Sequence, residues 1–455
     1  MEFMDRHQEV QCFLTIFSLT LAGAAQILAL MIKITHHRQA IFVAIVLSVV
    51  LAVFTDTRLL RIPDDPVRIF RMLGRFAGLA GMVLYVWIFL LSQRLQLIDR
   101  WLGGLPVALR WHHRLGVLAL LLLVLHPVLL AAPRLLDSIP SGLAYLFDLT
   151  EIEILTGWVA LGLMLGFLLF TLVIRLPYHA WKISHYASGL AFIVAVVHCY
   201  WVTDERWAMR GVLGVLAAVA LLGFFRQILW RRARLGGKAA VIEKIEVLDE
   251  RTVELSLRVA GEFKFQPGQF AYLSVRNTPG RSFRREWHPF TLCSGSDEAL
   301  LRFCVRNCGD DTALWQKLQP GDTLWIEGPF GQFFNAFSDA DPAPQLWIAG
   351  GIGITPFLGR IRSAPLECMT TLHYFVKSRP DALFLAEFQA VARLELVLHV
   401  ADEEGLPTVA ALGCIPPQAQ CFICGPAMMQ RVFVVGLRGM GVAKDRIFYE
   451  EFSLL

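Results

Sequence analysis

The segment Leu118–Leu130 reads LALLLLVLHPVLL, apolar from end to end except for one histidine, His126. An ionisable side chain deep in a lipid-spanning helix is expensive, so its presence is a functional signal by default. A second stretch, Leu190–Trp201, repeats the pattern as LAFIVAVVHCYW and carries His198. Working outward from each, another histidine stands nearer the start of the same run: His112 beside His113 in the first, His185 in the second. Any one of these alone reads equally well as a packed histidine bonded to a backbone carbonyl. Two runs with a histidine at both ends make that coincidence a poor explanation.

The rest of the chain fits a membrane setting. It has 455 residues, 56% of them hydrophobic and 18% charged, with a mean hydropathy of +0.54, too apolar for a soluble globular protein. The apolarity is confined to the first half, in runs near 11–34, 40–55, 73–92, 114–132, 153–175, 185–203 and 210–230, each near the ~20 residues a spanning helix needs. The second run is short and is open to a re-entrant reading, or to ending within the amphipathic stretch Arg58–Arg75. Short loops rich in Lys and Arg (KITHHR, QRLQLIDRW, RLPYHAWK, RQILWRRAR) fall on one side if seven helices alternate, and that side is cytoplasmic by the positive-inside rule. The acidic loop Pro133–Glu151 falls opposite, and the arginine-bearing loop Asp56–Arg75 is the exception. The start, MEFMDRHQEV, is acidic and is followed by a run long enough to span, so it reads as an anchor and not a cleaved signal. A net charge of +4 gives no global basic field that points to nucleic acid, and no nucleic-acid partner is expected. Nine scattered cysteines argue against a secreted disulfide framework.

Helix geometry tests the histidines. His112 and His126 are 14 apart, which returns within roughly 40° of one face about 21 Å along the axis; the spacing of 13 between His185 and His198 is roughly 140° off, and calls for local unwinding, a π-bulge or a tilted ligand. His113 shares the 13-residue spacing to His126 and is the alternative to His112. Imidazole suits iron, and two imidazoles per iron fill both axial positions and leave an electron-transfer centre. With both helices running outward, His112 pairs with His185 near the cytoplasm and His126 with His198 near the outside. A zinc or copper site needs clustered ligands, and these lie at two membrane depths. No C-x-x-C-H attachment site is present, so two b-type haems are expected.

After Trp230 the composition becomes that of soluble domains, and the chain divides into residues 1–235, a bundle of about seven helices, then 236–340 and 341–455. In the middle part, VELSLRV, FAYLSV and LRFCV alternate as half-buried strands do between PG, GD and GPFG turns, which reads as a small antiparallel barrel. In the last part, QLWIAG, TLHYFV, LELVLHV and QCFICG are buried strands separated by helical stretches, which is a parallel α/β domain. There is no internal repeat.

HPFTL (His288–Leu292) follows the strand FQPGQFAYL, and further on stand GGIGITP (Gly350–Pro356) and CGP (Cys424–Pro426). With the histidine pairs, these motifs in this order make the chain resemble the ferric reductase and NADPH oxidase superfamily, from about residue 73 to the end, and within it the bacterial NADPH-oxidase-like transmembrane flavocytochromes b. The resemblance implies an all-α transmembrane haem bundle followed by a ferredoxin-reductase-like module, an antiparallel β-barrel FAD domain plus an α/β NADPH domain. It implies FAD along His288, Pro289, Phe290 and Thr291, with Phe290 packing on the ring and the Thr291 hydroxyl near its reactive nitrogen. RNCGDDT (Arg306–Thr312) is similar to the family's flavin-phosphate turn, giving roles to Arg306, Gly309 and Thr312; a generic hairpin turn is the alternative. Many relatives have an arginine where His288 stands, and Arg284, Arg285 and Arg306 are available to meet the diphosphate.

Gly350, Gly351 and Gly353 let backbone approach phosphate, Thr355 follows them, and Pro356 suits the first turn of a helix. Arg379, after TLHYFVKS, is placed to meet a 2′-phosphate and select NADPH, or is a solvated loop arginine. The resemblance brings Cys424, with Gly425 and Pro426, to the nicotinamide, and Phe452 over the flavin, with Phe448 and Tyr449 as alternatives. Cys421 makes a C-x-x-C with Cys424, open to a dithiol or half-zinc reading.

The implied activity is transfer from cytoplasmic NADPH to FAD, two haems and an acceptor outside an inner membrane, with catalytic roles for Thr291, Cys424 and Phe452. Oxygen giving superoxide leads, through a cationic pocket from Arg58, Arg61 and Arg68; a ferric chelate is the alternative, and an electron-transfer subunit for a protein partner is another. A haem-free anchored flavoreductase would leave the histidines structural. No calcium-binding or regulatory segment is visible, so activity without an activating partner is expected.

Overall fold

The computed structural model describes residues 37–55, 65–174, 176–203, 207–233, 237–275, 287–334 and 343–449. The chain divides into two compact units, one holding the residues up to Arg94 together with Ala108–Trp230, the other Leu95–Val107 together with everything from Arg231 on.

The first unit is helical: α1 (His37–Phe54), α2 (Pro66–Leu91), most of α4 (Leu105–Asp137), α5 (Ile139–Leu146), α6 (Ile152–Leu172), α7 (Tyr178–Val202) and α8 (Trp207–Ala233); α3 (Gln96–Leu102), which precedes α4 in sequence, belongs to the second unit. Among the described residues five helices are long and apolar enough to cross a membrane, in α2, α4, α6, α7 and α8. The second apolar run forms α1, whose apolar part Phe42–Phe54 is shorter; the first run, at 11–34, lies outside the described residues. Helix α2 starts earlier than the hydropathy suggests. The Asp65 carboxylate accepts the Val67 N–H and Pro66 occupies the first turn, so a capped, proline-led start puts Arg68, Arg71 and Arg75 on the helix and not in a loop. The acidic loop is likewise partly helical, since α4 runs to Asp137 and Ser138 caps α5.

Packing explains the arrangement. Helix α2 presents Gly74, Gly78 and Gly81 to α4: an added Cβ would lie 2.8 Å from Leu130, 2.7 Å from His126 Nδ1 and 2.8 Å from Leu123. Small residues at this spacing let two helices approach closely in lipid, where contact and not water expulsion drives association. Nearby, Phe89 of α2 and Phe192 of α7 meet at 4.7 Å, and the Trp87 indole donates to Ser48 Oγ at 2.9 Å, fastening α1 to α2.

In the second unit, β1 (Lys238–Val247), β2 (Thr252–Val259), β3 (Phe270–Val275), β4 (His288–Thr291), β5 (Leu301–Arg306) and β6 (Thr323–Phe330) form an antiparallel sheet in the order β4-β3-β6-β1-β2-β5. A bridge between Leu292 and Phe303 joins the two edges, which closes the sheet into a barrel and leaves no free edge there. The core is Leu255, Leu257, Leu273, Phe303 and Leu324, all fully buried. Although the alternation predicts half-buried strands, β3 is buried at every position and β2 at six of eight, because Glu254, Ser256 and Ser274 on the outward face are covered as well.

Strands β7 (Gln345–Gly350), β8 (Thr370–Val376), β9 (Leu394–Val400), β10 (Gln420–Cys424) and β11 (Ile447–Tyr449) form a sheet in the order β11-β10-β7-β8-β9, parallel throughout. β7 and β10 are buried at every position, as strands covered on both faces should be. Helices α9 (Thr355–Ser363) and α10 (Ala427–Gly439) follow β7 and β10.

Candidate functional site

In the bundle, the four histidines fall into two facing pairs. The ring centres of His112 and His185 are 6.2 Å apart and those of His126 and His198 6.4 Å. Two imidazoles bound axially to one first-row metal, each through a bond of roughly 2 Å, place their ring centres about 6 Å apart. His112 faces His185 while His113 is exposed. Helix α7 is an uninterrupted α-helix from His185 to His198, so the angular offset between them is not met by unwinding.

The second ring nitrogens show how the rings are held. Nδ1 lies 2.9 Å from the Ile88 carbonyl in His112, 2.7 Å from the Gly74 carbonyl in His126 and 2.8 Å from the Glu153 carbonyl in His198. A carbonyl only accepts, so Nδ1 carries the proton and Nε2 keeps its lone pair, the tautomer that metal-binding histidines need. His185 instead stacks on Trp181 at 5.3 Å with Phe167 edge-on at 5.6 Å, and its buried Nδ1 has no partner among the described residues. A cavity of about 590 Å³ opens on the His126–His198 pair, lined also by Gly78, Gly157, Arg71 and Arg134 among others. A Cβ on Gly157 would stand 3.0 Å from His198 Cε1. Sequence reasoning missed Gly74, Gly78 and Gly157, although small residues four apart in an apolar run are a recognisable signal for close helix approach. Of the arginines expected to form a cationic pocket, Arg58 and Arg61 lie outside the described residues.

In the barrel, β4 pairs with β3 so that Thr291 is opposite Phe270 and Phe290 opposite Ala271. All four residues His288, Pro289, Phe290 and Thr291 are half-buried, and Phe290 and His288 lie 4.9 and 6.0 Å from the Trp315 ring. In the following turn the Thr312 hydroxyl accepts the Cys308 N–H at 2.7 Å and donates to the Gly309 carbonyl at 3.1 Å, with Gly309 at φ +153. Arg306 pairs with Asp381 of the α/β domain. Arg284 and Arg285 lie outside the described residues.

At the carboxyl end of β7, Gly350 leads into Gly351, which takes a left-handed φ of +54, and Gly353 lies against the Cys424 carbonyl so closely that any side chain there would collide. The loop therefore rests directly on the CGP turn, where Gly425 and Pro426 follow the buried Cys424. Thr355 donates to the Ile352 carbonyl at 3.0 Å, and Pro356 stands in the first turn of α9. Cys421 and Cys424 enter the cores on opposite faces of the sheet, as residues three apart in a strand must, so the C-x-x-C is no dithiol; burial pushes the Cys421 thiol up to about 12. Arg379 follows β8 and is held by Glu403 through two hydrogen bonds of 2.7 and 2.8 Å. Phe448 stacks on Phe422 at 4.9 Å, and Phe452 lies outside the described residues.

One buried cluster went unread in the sequence. Cys293, two residues past Thr291, has its sulfur 3.4 Å from that of Cys304, and Cys304 points at Glu254. The hydrogen bond with Cys293 and burial push the Cys304 thiol far above its usual range. Glu254 is met by Arg302 at 3.5 Å and Arg362 at 3.4 Å, two guanidiniums that disfavour a metal cation beside it. Arg362, near the end of α9, also donates to the Cys293 carbonyl at 3.0 Å and pairs with Glu387.

Two family comparisons match this architecture: "Ferric reductase like transmembrane component" over residues 77–196 and "FAD-binding domain" over residues 238–333. The domain pair fits the ferric reductase and NADPH oxidase superfamily. The superfamily likeness extends to individual proteins. The chain is 28% identical over 243 residues to the reductase component of propane 2-monooxygenase from Mycolicibacterium smegmatis, covering 46% of this chain and 67% of that one. It is 26% identical to respiratory burst oxidase homolog protein B of Arabidopsis thaliana (41% and 24% covered) and 30% identical to NADPH oxidase 1 of Mus musculus (33% and 24%). The chain thus spans about two thirds of the bacterial reductase and about a quarter of the two oxidases. With five candidate spans and the ferric-reductase-like component, it is a multi-pass membrane protein whose domains fit that superfamily, and the part after Arg231 is a flavin- and NAD(P)H-binding oxidoreductase module.

Proposed function

We propose that the chain is a transmembrane NADPH oxidoreductase that passes electrons from cytoplasmic NADPH by way of FAD and two b haems to oxygen on the far side of the inner membrane, yielding superoxide. The observation that carries the reading is the pairing of four imidazoles at 6.2 and 6.4 Å on helices α4 and α7, three of them with Nδ1 tied to a carbonyl. FAD would supply the exchange of a hydride's two electrons for single electrons, and the haems would carry those electrons one at a time.

The chain's own residues hold and orient. His112 with His185, and His126 with His198, offer Nε2 lone pairs to iron, and Gly78 and Gly157 leave room for the outer rings. With two imidazoles committed to each iron, the haems would supply outer-sphere one-electron transfer, which needs no open iron position. In the module, Phe290 packs along the flavin and Thr291 offers a hydroxyl to its reactive edge. Arg306, Gly309 and Thr312 serve the flavin phosphates, while Gly350, Gly351, Gly353 and the first turn of α9 receive the nucleotide phosphates. Cys424, at the end of β10, would meet the nicotinamide beside the flavin.

The test is anaerobic. The purified, FAD-loaded protein is mixed with NADPH and its haem spectrum recorded, then oxygen is admitted and dismutase-sensitive cytochrome c reduction followed. Reduction, then reoxidation with superoxide appearing, is the expected result. Haems that reduce and stay reduced in oxygen would overturn oxygen as acceptor and point to a ferric chelate or a protein. Absence of a Soret band would overturn the haem reading.

A further inference from the structure

We infer that Glu403 sets the choice between NADPH and NADH, by occupying the Arg379 guanidinium and by placing a carboxylate where the 2′ substituent of the adenosine ribose arrives. The inference rests on the nucleotide-binding reading above and deepens it.

The placement follows from the sheet. Its strands are all parallel, so the loops after β7, β8, β9 and β10 gather at one carboxyl edge, where ligands of open α/β sheets bind. The glycine loop follows β7 and Cys424 ends β10, which puts the phosphates and the nicotinamide on that side of the order β10-β7-β8-β9. Arg379 follows β8 and Glu403 follows β9. At a strand spacing of about 4.8 Å, the pair stands one to two spacings, roughly 5 to 10 Å, further along the edge, within reach of an adenosine.

The pair is built, not incidental. Arg379 gives Nε to one Glu403 oxygen and Nη2 to the other, at 2.7 and 2.8 Å. Its turn is fixed by a capping box between Ser378 and Asp381, and the Asp402 N–H bonds to the Lys377 carbonyl at 3.0 Å, locking the two loops side by side. Both side chains remain open to solvent, 68% and 45% exposed, so a ligand can reach them.

Two ribose substituents meet this pair differently. A 2′-hydroxyl can donate to the Glu403 carboxylate, the contact that acidic residues make in NAD sites. A 2′-phosphate must displace the carboxylate from the guanidinium or bind beside it as a like charge. Glu403 thus favours NADH and handicaps NADPH, while Arg379 alone would do the reverse.

The experiment measures kcat/KM for NADPH and for NADH, by ferricyanide reduction with full-length, FAD-loaded protein, in the wild type and in Glu403→Gln, Glu403→Lys and Arg379→Gln. FAD content checks that each variant is folded. Glu403→Gln is expected to raise the NADPH-to-NADH ratio about fivefold, the scale of one exposed pair, through KM for NADPH with kcat unchanged. Glu403→Lys should raise it further, and Arg379→Gln should lower it. A ratio within roughly twofold of wild type in both Glu403 variants overturns the assignment. If neither nucleotide reduces the flavin of the wild type, the nucleotide-binding reading falls and takes this inference with it.

Discussion

Asp99 and Gly331 are 232 residues apart in sequence, yet the Asp99 carboxylate accepts the Gly331 N–H through both oxygens, at 3.0 and 3.2 Å. The same carboxylate accepts the N–H of Leu105, the first residue of α4, at 2.7 Å, and the Gln96 amide donates to the Gly328 carbonyl at 2.9 Å. Leu95–Val107 therefore packs as part of the second unit, although in sequence it lies between two apolar helices.

Asp99→Ala leaves two buried amides without their acceptor. The expected loss is about 2 to 4 kcal/mol, at about 1 to 3 for each unsatisfied group less relaxation, read as a lower denaturant midpoint for flavin release. Asp99→Asn keeps an accepting oxygen and should lose less. Burial raises the Asp99 carboxyl above its usual range despite the amides of Gly331 and Leu105, which lower it. The folded state therefore holds this proton more readily than the unfolded one, and the contribution of Asp99 to stability declines as pH rises through the raised pKa. The Asn variant should lack that slope.

The glycine face of α2 makes a second prediction. With a Cβ at position 78 already 2.7 Å from His126 Nδ1, Gly78→Leu must push the imidazole out of place, since a packed interior does not yield by the width of a side chain. On the proposed reading, haem per flavin falls from about two to about one by pyridine haemochrome assay. NADPH-dependent dye reduction by the soluble half should persist. An unchanged haem content would contradict the pairing of His126 with His198.

A pH effect comes from the α/β domain. His373 is buried, with Nδ1 3.0 Å from His399 Nε2, and burial followed by the neighbouring His399 lowers its pKa to about 4. The unfolded chain binds a proton near 6.5 and the folded one does not until about 4. Stability is therefore full above about 6.5 and is lost as pH falls toward 4, by on the order of 2 kcal/mol. His373→Phe should flatten the urea midpoint between pH 7 and pH 4.5, and an equally steep dependence in the variant would refute the attribution.

Much of this architecture was readable because it rests on local patterns. The strands FAYLSV and LELVLHV are found as β3 and β9 at the residues their alternation and apolar runs mark, and His112, His126, His185 and His198 lie on the two helices their spacing suggested. What was not readable depends on partners distant in sequence. Nothing near Asp99 announces Gly331, and nothing in HPFTLC announces that Cys293 will meet Cys304 and, through its carbonyl, Arg362. The early start of α2 was missed because hydropathy sees the core of a helix, whereas Asp65 and Pro66 act on its polar first turn. The outward burial of β2 and β3 was missed because Glu254 and Ser274 read as solvent-facing until the surface covering them is known.

Helix α9 begins at the glycine loop and ends with Arg362 on the Cys293 carbonyl, and its Gly359 lies against the Leu292 carbonyl, immediately after Thr291. Nine residues of helix, about 13 Å, thus act as a ruler laid between the nucleotide loop and the HPFT strand. A helix resists changes in length far more than a loop does, so on the proposed reading the gap between flavin and nucleotide would be gauged by the count of residues from Thr355 to Ser363. Inserting or deleting a turn there would alter that gauge.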